Sequence, residues 1–403
     1  MQTNLVQEFA NKPEGQEAEA ILRSCVHCGF CTATCPTYQE LGDERDGPRG
    51  RIYLMKMYLE GEEATERTRE HLDRCLSCRS CETTCPSGVQ YGRLLDISRG
   101  LMEQRLERPR REQWLRWGLM RVLPNRRLFG LLLKLGQISR PLVPESLRRK
   151  IPPKKTASPW PTGAHSRKVL ALAGCVQPSA TPNTNAAAAR VLDRLGITLA
   201  EAPQAGCCGA VHYHLGDHED GLNYMRRNID AWWPAIEQGA EALVMTASGC
   251  GAMVQDYGHL LKDDPSYADR ARKVSELTTD LGAFLLHEDL TPLRLADRDG
   301  KVAFHCPCTL QHAMKEGGVV EQVLVKAGVE LAATRDTHLC CGSAGTYSVL
   351  QPELSQRLLG NKLAALTVDQ PDQIVTANVG CQLHLETRAE VPVRHWIELL
   401  DRN

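Results

Sequence analysis

A twelve-residue pattern of four cysteines and a proline occurs twice near the N-terminus and strongly limits what this chain can fold into. The two copies, fifty residues apart, are Cys25-Val-His-Cys28-Gly-Phe-Cys31-Thr-Ala-Thr-Cys35-Pro36 and Cys75-Leu-Ser-Cys78-Arg-Ser-Cys81-Glu-Thr-Thr-Cys85-Pro86. The chain has 17 cysteines in 403 residues, and its first residues lack the apolar stretch of a secretory signal. Disulfides are not expected in a reducing compartment, so these cysteines are predicted to bind metal or carry out redox chemistry. A secreted disulfide scaffold is thereby excluded.

The spacing within each copy is typical of bacterial ferredoxins that carry two clusters. Three thiolates in one tight turn can bind three irons of a [4Fe–4S] cube, while the fourth cysteine leads away to the other cube. The predicted ligand sets are therefore crossed: Cys25, Cys28, Cys31 and Cys85 for cluster 1, and Cys75, Cys78, Cys81 and Cys35 for cluster 2. Zinc is the alternative, but zinc sites normally use two separate CxxC pairs.

Helices are expected beside the cysteine loops, because apolar residues recur at three- and four-residue spacing in Gln16–Ser24 and Ile52–Glu60. Two arginines, Arg49 and Arg51, follow the first loop. Their guanidinium groups are predicted either to offset the charge of a reduced cluster or to lie on the surface. Residues 1–104 are thus expected to form a small helical domain of the two-cluster ferredoxin type.

The stretch from Arg105 to Lys155 is strongly basic. It has 15 Lys and Arg against three acidic residues, a net charge of +12, whereas the whole chain has −1. Aromatic and leucine side chains are interleaved with this charge, and its apolar runs are too short to span a bilayer. This combination predicts a segment lying on an anionic membrane surface, contacted by Trp114 and Trp117. Residues 105–165 are interpreted as this segment followed by a proline-rich linker; docking on an acidic partner is the alternative.

The rest of the chain contains a second repeat, which predicts two α/β lobes. Apolar runs, each a predicted strand, end at Cys175 and Cys308, and 31 residues separate each of these cysteines from a Cys-Cys-Gly triplet. A helical stretch and another apolar run follow, Ala242–Ala247 in one half and Gln373–Ala377 in the other. Parallel sheets place sites at the C-terminal ends of their strands, where these cysteines fall. The predicted lobes are residues 166–295 and 296–403, in a multi-domain α+β and α/β fold.

These cysteine patterns resemble a known family. The Cys-Cys-Gly repeats are similar to the cysteine-rich domains of heterodisulfide reductase subunits. Together with the two-cluster module, the chain resembles the iron–sulfur subunits of bacterial glycolate oxidases, from Cys25 to Trp396, including Pro48-Arg49-Gly50-Arg51 and Pro307-Cys308-Thr309-Leu310-Gln311-His312. One feature departs from the heterodisulfide reductase pattern, in which each motif ends in CxxC: Met253 and His384 occupy the positions of the second cysteine.

Incomplete motifs still leave four cysteines in each lobe. We predict a further iron–sulfur cluster in at least one lobe, because adjacent cysteines at strand ends suit chelation better than packing. The second lobe is the better candidate, since Cys306 and His384 are spare ligands there. The alternative is that some of these cysteines bind no metal and are buried as small apolar side chains. His212 and His214 are expected to mark a partly exposed helix start; contact with a cofactor is the alternative. The two candidate sets are Cys175, Cys207, Cys208 and Cys250, and Cys308, Cys340, Cys341 and Cys381.

The resemblance implies an electron-transfer subunit of an oxidoreductase complex. Flavin-carrying partner subunits would oxidise glycolate to glyoxylate, and this chain would pass the electrons to a membrane quinone. We therefore expect a peripheral location on the cytoplasmic side of the inner membrane. The sequence has no GxGxxG or P-loop pattern, so neither a flavin nor a catalytic residue is assigned to this chain. The near-neutral net charge gives no reason to expect a nucleic-acid partner.

Three alternatives remain open at this stage. One is a thiol–disulfide enzyme of the heterodisulfide reductase type, which the incomplete CxxC motifs disfavour. Another is the equivalent subunit of a glycerol-3-phosphate or lactate dehydrogenase. The third is an assembly scaffold stapled by zinc, which iron in the purified protein would exclude.

Overall fold

The computed structural model describes residues 1–295 and 300–401. The predicted boundary of the second lobe at residue 296 and the last two residues of that lobe, 402 and 403, lie outside this range. The N-terminal part is helical, and prolines at the first turns of three of its helices supply a backbone angle suited to helix entry. Its helices are α1 Gln7–Ala10, α2 Pro13–Ser24, α3 Pro36–Leu41, α4 Pro48–Leu59, α5 Glu66–Asp73, α6 Ser80–Thr84 and α7 Tyr91–Glu103.

Two of these helices were predicted from the apolar spacing and are confirmed as α2 and α4. Their apolar faces meet α7 in one hydrophobic core that includes Leu22, Met55 and Leu94. Two short 3₁₀ turns, Phe30–Thr32 and Glu44–Asp46, connect this core to the cysteine loops. The cysteine loops therefore lie on a packed helical base.

The basic segment is also helical. It contains α8 Arg110–Val122, α9 Arg126–Ser139, a 3₁₀ turn at Arg140–Leu142 and α10 Glu145–Arg148. Residues 152–165, the later part of the predicted proline-rich stretch, have no helix or strand.

The C-terminal part consists of two α/β lobes. The first lobe contains β1 Arg167–Ala171, α11 Gln177–Ala180, α12 Asn183–Arg194, β2 Ile197–Glu201, α13 Ala210–His214, α14 His218–Glu237, β3 Leu243–Met245, α15 Ser248–Gln255, α16 Tyr257–Leu260, α17 Ala268–Leu277, β4 Thr278–Asp280, α18 Leu281–Leu286 and a 3₁₀ turn at Thr291–Leu293. The second lobe contains β5 Lys301–His305, a π-helical turn at Thr309–Ala313, α19 Val319–Lys326, β6 Glu330–Leu331, α20 Tyr347–Leu350, α21 Pro352–Leu366, β7 Gln373–Thr376, α22 Val379–Glu386, β8 Val393–His395 and α23 Ile397–Leu400.

Each lobe has a four-stranded parallel sheet with the same topology. The strand orders are β2-β1-β3-β4 and β6-β5-β7-β8, with Leu170 of β1 opposite Leu243 of β3 and Ala303 of β5 opposite Ile374 of β7. The four apolar runs identified in the sequence form the two central strands of each sheet. The predicted fold class, a helical two-cluster domain followed by two α/β lobes, is confirmed.

The two lobes pack closely together. One hydrophobic cluster contains residues of both, including Val169, Val244, Val302 and Val375. The strand ends also meet: the Ser248 N–H donates to the Ala377 carbonyl at 3.1 Å. The helix starts that carry the last cysteine of each lobe therefore lie on neighbouring surfaces.

The helical N-terminal part packs on both lobes. Arg79 forms an ion pair with Asp256 of the first lobe at 2.8 Å. On the second lobe, the Tyr347 hydroxyl donates to the Arg74 carbonyl at 3.1 Å, and Thr83 Oγ1 lies 2.9 Å from His312 Nδ1. These contacts bring the second cysteine loop against the second lobe.

Candidate metal centres

The structure brings the first cysteine loop together with the last cysteine of the second copy. A cavity of about 430 Å³ is lined by Cys25, Cys28, Cys31 and Cys85, and also by Cys81. Cys28 is exposed, whereas Cys25 is buried. The four sulfurs proposed for cluster 1 thus surround one opening at the protein surface.

The second loop makes the reciprocal arrangement. A neighbouring cavity of about 300 Å³ is lined by Cys75, Cys78, Cys81 and Cys35. Each loop therefore shares a cavity with the fourth cysteine of the other copy. This is the geometry that crossed ligation requires.

The two loops have the same backbone conformation. Two residues in each have left-handed φ angles: His27 (61°) and Gly29 (87°) in the first loop, and Ser77 (53°) and Arg79 (58°) at the equivalent positions of the second. Glycine adopts this conformation without strain, whereas a side chain does not. At Gly29 a Cβ would also lie 2.8 Å from the Arg49 guanidinium. The ion pair with Asp256 holds the strained Arg79 in place.

The second cavity is surrounded by hydrogen-bond donors. The Tyr91 hydroxyl donates to Cys75 Sγ at 3.6 Å, and the Ser77 N–H donates to the same sulfur at 3.4 Å. Thr37 Oγ1 lies 3.3 Å from Cys35 Sγ, but its hydroxyl donates to the Asp46 carbonyl at 2.7 Å, so Thr37 is a neighbour of this sulfur rather than a donor to it. Donors to sulfur stabilise negative charge and raise the reduction potential of a bound cluster.

The two arginines have different environments. Arg51 is 1% exposed and donates to the His71 carbonyl at 2.6 Å and to Thr37 at 3.1 Å. Arg49 is partly exposed and pairs with Glu44 at 2.6 Å. The buried position of Arg51 beside the second cavity favours the predicted role of offsetting cluster charge. Arg49 instead lies at the protein surface, at the edge of the first cavity.

In the first lobe, the four cysteines form a continuous contact. The thiol of Cys207 interacts electrostatically with those of Cys175 and Cys208, and Cys208 also interacts with Cys250. Within this set, the interactions with Cys207 and Cys250 lower the pKa of the Cys208 thiol, while the pKa values of Cys207 and Cys250 are raised. A thiolate is the form that binds metal.

In the second lobe, the equivalent cysteines also meet. The Cys308 thiol donates to Cys340 at 3.8 Å. Cys340 also interacts electrostatically with Cys341, and Cys341 with Cys381. Both candidate sets thus converge at the C-terminal ends of their central strands, although the members lie up to 75 residues apart in the sequence.

Lys362 supplies positive charge to this second set. Its side chain is 2% exposed and donates to the carbonyls of Asp336 and Thr337 at 2.9 and 3.2 Å. Burial lowers the pKa of Lys362, while the thiolate charges of Cys341 and Cys340 oppose this shift. A buried ammonium beside four thiols suits a group with net negative charge.

The two spare ligands predicted in the second lobe are directed elsewhere. His384 Nε2 lies 3.2 Å from Ser355 Oγ, and the Cys306 thiol lies 4.0 Å from the Pro307 carbonyl. A different histidine, His305, has a ring nitrogen within 4.8 Å of the sulfurs of Cys341 and Cys381. Sequence reasoning missed His305 because it ends an apolar run that predicts a strand; the signal was a polar residue at the C-terminal end of that run.

The histidines of the first lobe differ from the prediction in part. His212 is 4% exposed and its ring contacts that of Tyr224, tilted by 31° with the centroids 5.1 Å apart, so the expected exposure is wrong for this residue. Gly209, with φ 90°, turns the chain so that α13 points His212 inward. His214 is partly exposed and pairs with Asp96 of α7 at 3.0 Å.

The second cysteine loop and the second lobe share one hydrophobic cluster. Leu76 packs with Cys340, Tyr347, Leu354 and Leu358, and Cys78 and Cys308 border the same cluster. The candidate centre of cluster 2 and that of the second lobe are therefore adjacent.

The basic segment leaves its aromatic residues in solvent. Trp114 is 68% exposed and Trp117 52%, and the two rings form an edge-to-face pair with centroids 5.6 Å apart. Every side chain of α9 is at least partly exposed, with Leu131, Leu135 and Ile138 more than half exposed. No helix within residues 1–295 or 300–401 is long and apolar enough to cross a membrane.

Thiolates in sets of four, surrounded by donors and buried cations, are the ligands that iron–sulfur clusters use. Residues 21–89 match the family described as a 4Fe-4S dicluster domain, and residues 169–255 and 302–386 each match the family described as a cysteine-rich domain. The fold and these sites define an iron–sulfur protein with two cysteine-rich lobes.

Whole-chain comparisons identify the family. The chain is 57% identical to the glycolate oxidase iron-sulfur subunit of Escherichia coli strain K12, over 100% of this chain and 99% of that protein. It is 31% identical to the probable glycolate oxidase iron-sulfur subunit of Bacillus subtilis strain 168, over 96% and 93% of the two chains. The chain belongs to the family of glycolate oxidase iron–sulfur subunits.

More distant relatives share part of the chain or only its fold. Lactate utilization protein A of Bacillus velezensis is 29% identical over 58% of this chain and 99% of its own length. A crystal structure of a hypothetical protein from Helicobacter pylori has a TM-score of 0.52 and 13% sequence identity, covering 97% of this chain and 72% of that one. At this identity the likeness concerns the fold alone.

Proposed function

We propose that this chain is the electron-transfer subunit of a flavin-dependent glycolate oxidase, accepting electrons from flavin-carrying partner subunits and delivering them to a membrane quinone. The 57% identity over the full length supports glycolate as the substrate of the complex. When bound, [4Fe–4S] clusters supply one-electron transfer, whereas a flavin carries two electrons. The residues of this chain hold, shield and connect the centres.

The observation that carries this proposal is the spatial order of the cysteine sets. The first set opens to the surface beside Val26 and Phe30, which are 67% and 62% exposed. The second set shares Cys81 with the wall of the first cavity and lies against the second lobe through Leu76. This order gives a route from the first set through the second set to the second lobe, and Phe30 and Val26 offer an apolar surface to a partner at the exposed first set.

A second part of the proposal places α8 and α9 on the cytoplasmic face of the inner membrane, as a peripheral contact. The inner side of α8 is fixed, because Arg116 donates to the Leu215 carbonyl at 2.9 Å, and the buried Arg108, two residues before the helix, pairs with Asp73 at 2.6 Å. Trp114 and Trp117 consequently face outward. A quinone acceptor resides in the bilayer, so the subunit that delivers electrons should contact it. Docking of the same helices on an acidic partner is the competing interpretation.

The test uses the complex of this chain with its flavin subunits. Glycolate should reduce the iron–sulfur centres, seen by EPR, and a soluble quinone analogue should reoxidise them. A Cys78→Ala complex should retain glycolate-dependent flavin reduction but lose most of the electron transfer to quinone. Wild-type rates of quinone reduction in this variant would contradict the proposal. Comparing glycolate with lactate distinguishes the two substrates named among the relatives.

A further inference from the structure

His305 is a buried histidine whose ring has no hydrogen-bond partner. It ends β5, the central strand of the second lobe, and is 1% exposed. Neither of its ring nitrogens has a partner among the residues that the structure describes. Leaving a buried polar group unpaired is energetically unfavourable, so such a ring calls for a ligand.

The surroundings of His305 identify the chemistry of that ligand. One ring nitrogen and the sulfurs of Cys341 and Cys381 lie within 4.8 Å of one another, and all three residues are buried. Cys381 Sγ also accepts a hydrogen bond from Asn378 Nδ2 at 3.4 Å, which fixes that sulfur. Imidazole nitrogen and thiolate sulfur together are ligands for iron and zinc.

The first lobe lacks this nitrogen. In the repeat, Lys168 corresponds to Lys301 and Cys175 to Cys308, which aligns Leu172 with His305. Leu172 is buried and offers no ligand atom. The two lobes have equivalent sets of four cysteines, but only the second combines its set with an imidazole at the end of the central strand.

The lobe that carries the imidazole is also the one that contacts the second cysteine loop. Cys78 and Cys308 border the same hydrophobic cluster, and Cys308 hydrogen-bonds Cys340 in the set next to His305. Because the cysteine set of the second lobe lies beside a candidate electron-transfer centre, an iron–sulfur group is favoured there over zinc, which has no redox chemistry.

We propose that His305 is a nitrogen ligand of an iron–sulfur centre in the second lobe, together with Cys341 and Cys381. This inference rests on the proposed metal centre of that lobe and adds the ligand that distinguishes it from the first. A neutral imidazole in place of an anionic thiolate raises the reduction potential of a cluster, as in centres with two histidine ligands. The second lobe would therefore accept electrons more readily than an all-thiolate centre.

Pulsed EPR on the full chain tests the assignment. The protein is purified anaerobically, reconstituted with iron and sulfide and reduced in steps, once with natural and once with ¹⁵N-labelled histidine. The signal of the second lobe is the one lost in Cys341→Ala. We expect this signal to show a histidine nitrogen coupling that is lost in His305→Leu, which introduces the residue of the first lobe. The matched control is His384→Leu, which removes another buried histidine of this lobe and should leave the coupling unchanged.

Each outcome decides a separate point. An iron content of only about eight, the count for two cubes, with no signal sensitive to Cys341→Ala, would overturn the metal centre and the inference with it. Zinc in place of the additional iron would have the same effect. A third signal without histidine coupling, or with coupling that persists in His305→Leu, would overturn the inference alone. If His305→Leu does not fold, His305→Cys should retain the signal, lose the nitrogen coupling and lower the potential.

Discussion

At the scale of single residues, burial decides what an arginine beside an iron–sulfur site can do. Arg51 and Arg49 lie two positions apart on α4, yet Arg51 is enclosed and Arg49 is partly exposed. Arg51 and Asp46 are each 1% exposed, and the Asp46 carboxylate also pairs with His71 at 3.0 Å and Arg74 at 3.1 Å. This charged network, linked to Cys35 through Thr37, sets the environment of the second cavity.

The network predicts unequal effects of two matched substitutions. Arg51→Met should lower the free energy of unfolding by about 3 kcal/mol, because it leaves buried partners unpaired. Arg49→Met, which removes a partly exposed pair, should cost about 1 kcal/mol or less. Thermal unfolding of anaerobic protein with equal iron content measures both. Arg51→Met should also lower the potential of cluster 2, since it removes a nearby positive charge; equal behaviour of the two variants would contradict this account.

At the scale of secondary-structure elements, the apolar runs in the sequence predicted the central strands of each sheet but not the edge strands. The long apolar runs became β1, β3, β5 and β7, because central parallel strands are buried on both faces. The four strands not predicted are all edge strands, and β6 is only Glu330–Leu331. Short edge strands depend on pairing with their neighbour, which the local sequence does not encode.

The candidate sites were likewise predicted only in part, where the local sequence determines them. The spacing of the N-terminal cysteines predicted which residues share a cavity, because the tight loop conformation follows from that spacing. His305 was not predicted, since its role depends on Cys341 and Cys381 arriving from other elements. The packing of the domains was also beyond prediction, because it depends on pairs such as Arg79 and Asp256, which are 177 residues apart.

The proposed membrane contact is made by helix α8 and can be tested there. Wild-type protein should float with liposomes that contain anionic lipids, more strongly at low than at moderate salt, since each Lys or Arg near the surface contributes about 1 kcal/mol. The double variant Trp114→Ala/Trp117→Ala should float several-fold less, because the two exposed rings no longer enter the interface.

The matched control is Trp160→Ala, which removes a partly exposed tryptophan outside the helices of the basic segment and should float like wild type. Equal flotation of wild type and the double variant would exclude the aromatic contact. Failure of wild type to float, with binding to a flavin subunit that requires α8, would instead favour the acidic-partner interpretation.

At the scale of the whole molecule, the helical N-terminal part must keep a fixed position on the lobes for its centres to stay adjacent. Glu17 of α2 contributes to this by pairing with His259 at 2.8 Å and Lys262 at 2.8 Å, both in the first lobe. These partners, with a hydrogen bond to His259 foremost, hold the pKa of Glu17 at about 2. The stabilisation is therefore fully present above the unfolded-state pKa of about 4.5 and is lost as the pH falls towards 2.

A matched pair on α2 tests this contact. Glu17→Gln should destabilise the docked N-terminal part by about 1–2 kcal/mol at pH 7, since the pair is partly exposed and screened by salt. Glu19→Gln, which affects only the pair with Arg23 on the same helix, should cost less than about 0.5 kcal/mol. Hydrogen exchange of α2 and α16 in the intact protein reports the difference. Equal protection in the two variants would show that Glu17 does not fix the domain position.

The central claim is that the two N-terminal clusters have crossed ligands, and EPR of four single variants tests it most directly. Cys28→Ala and Cys78→Ala, each in the middle of one loop, define which signal belongs to which loop. Cys35→Ala should then alter the same signal as Cys78→Ala, and Cys85→Ala the same signal as Cys28→Ala, because Cys35 and Cys85 line the cavity of the other loop. If Cys35→Ala instead matches Cys28→Ala, each loop binds its own cluster and the account is contradicted.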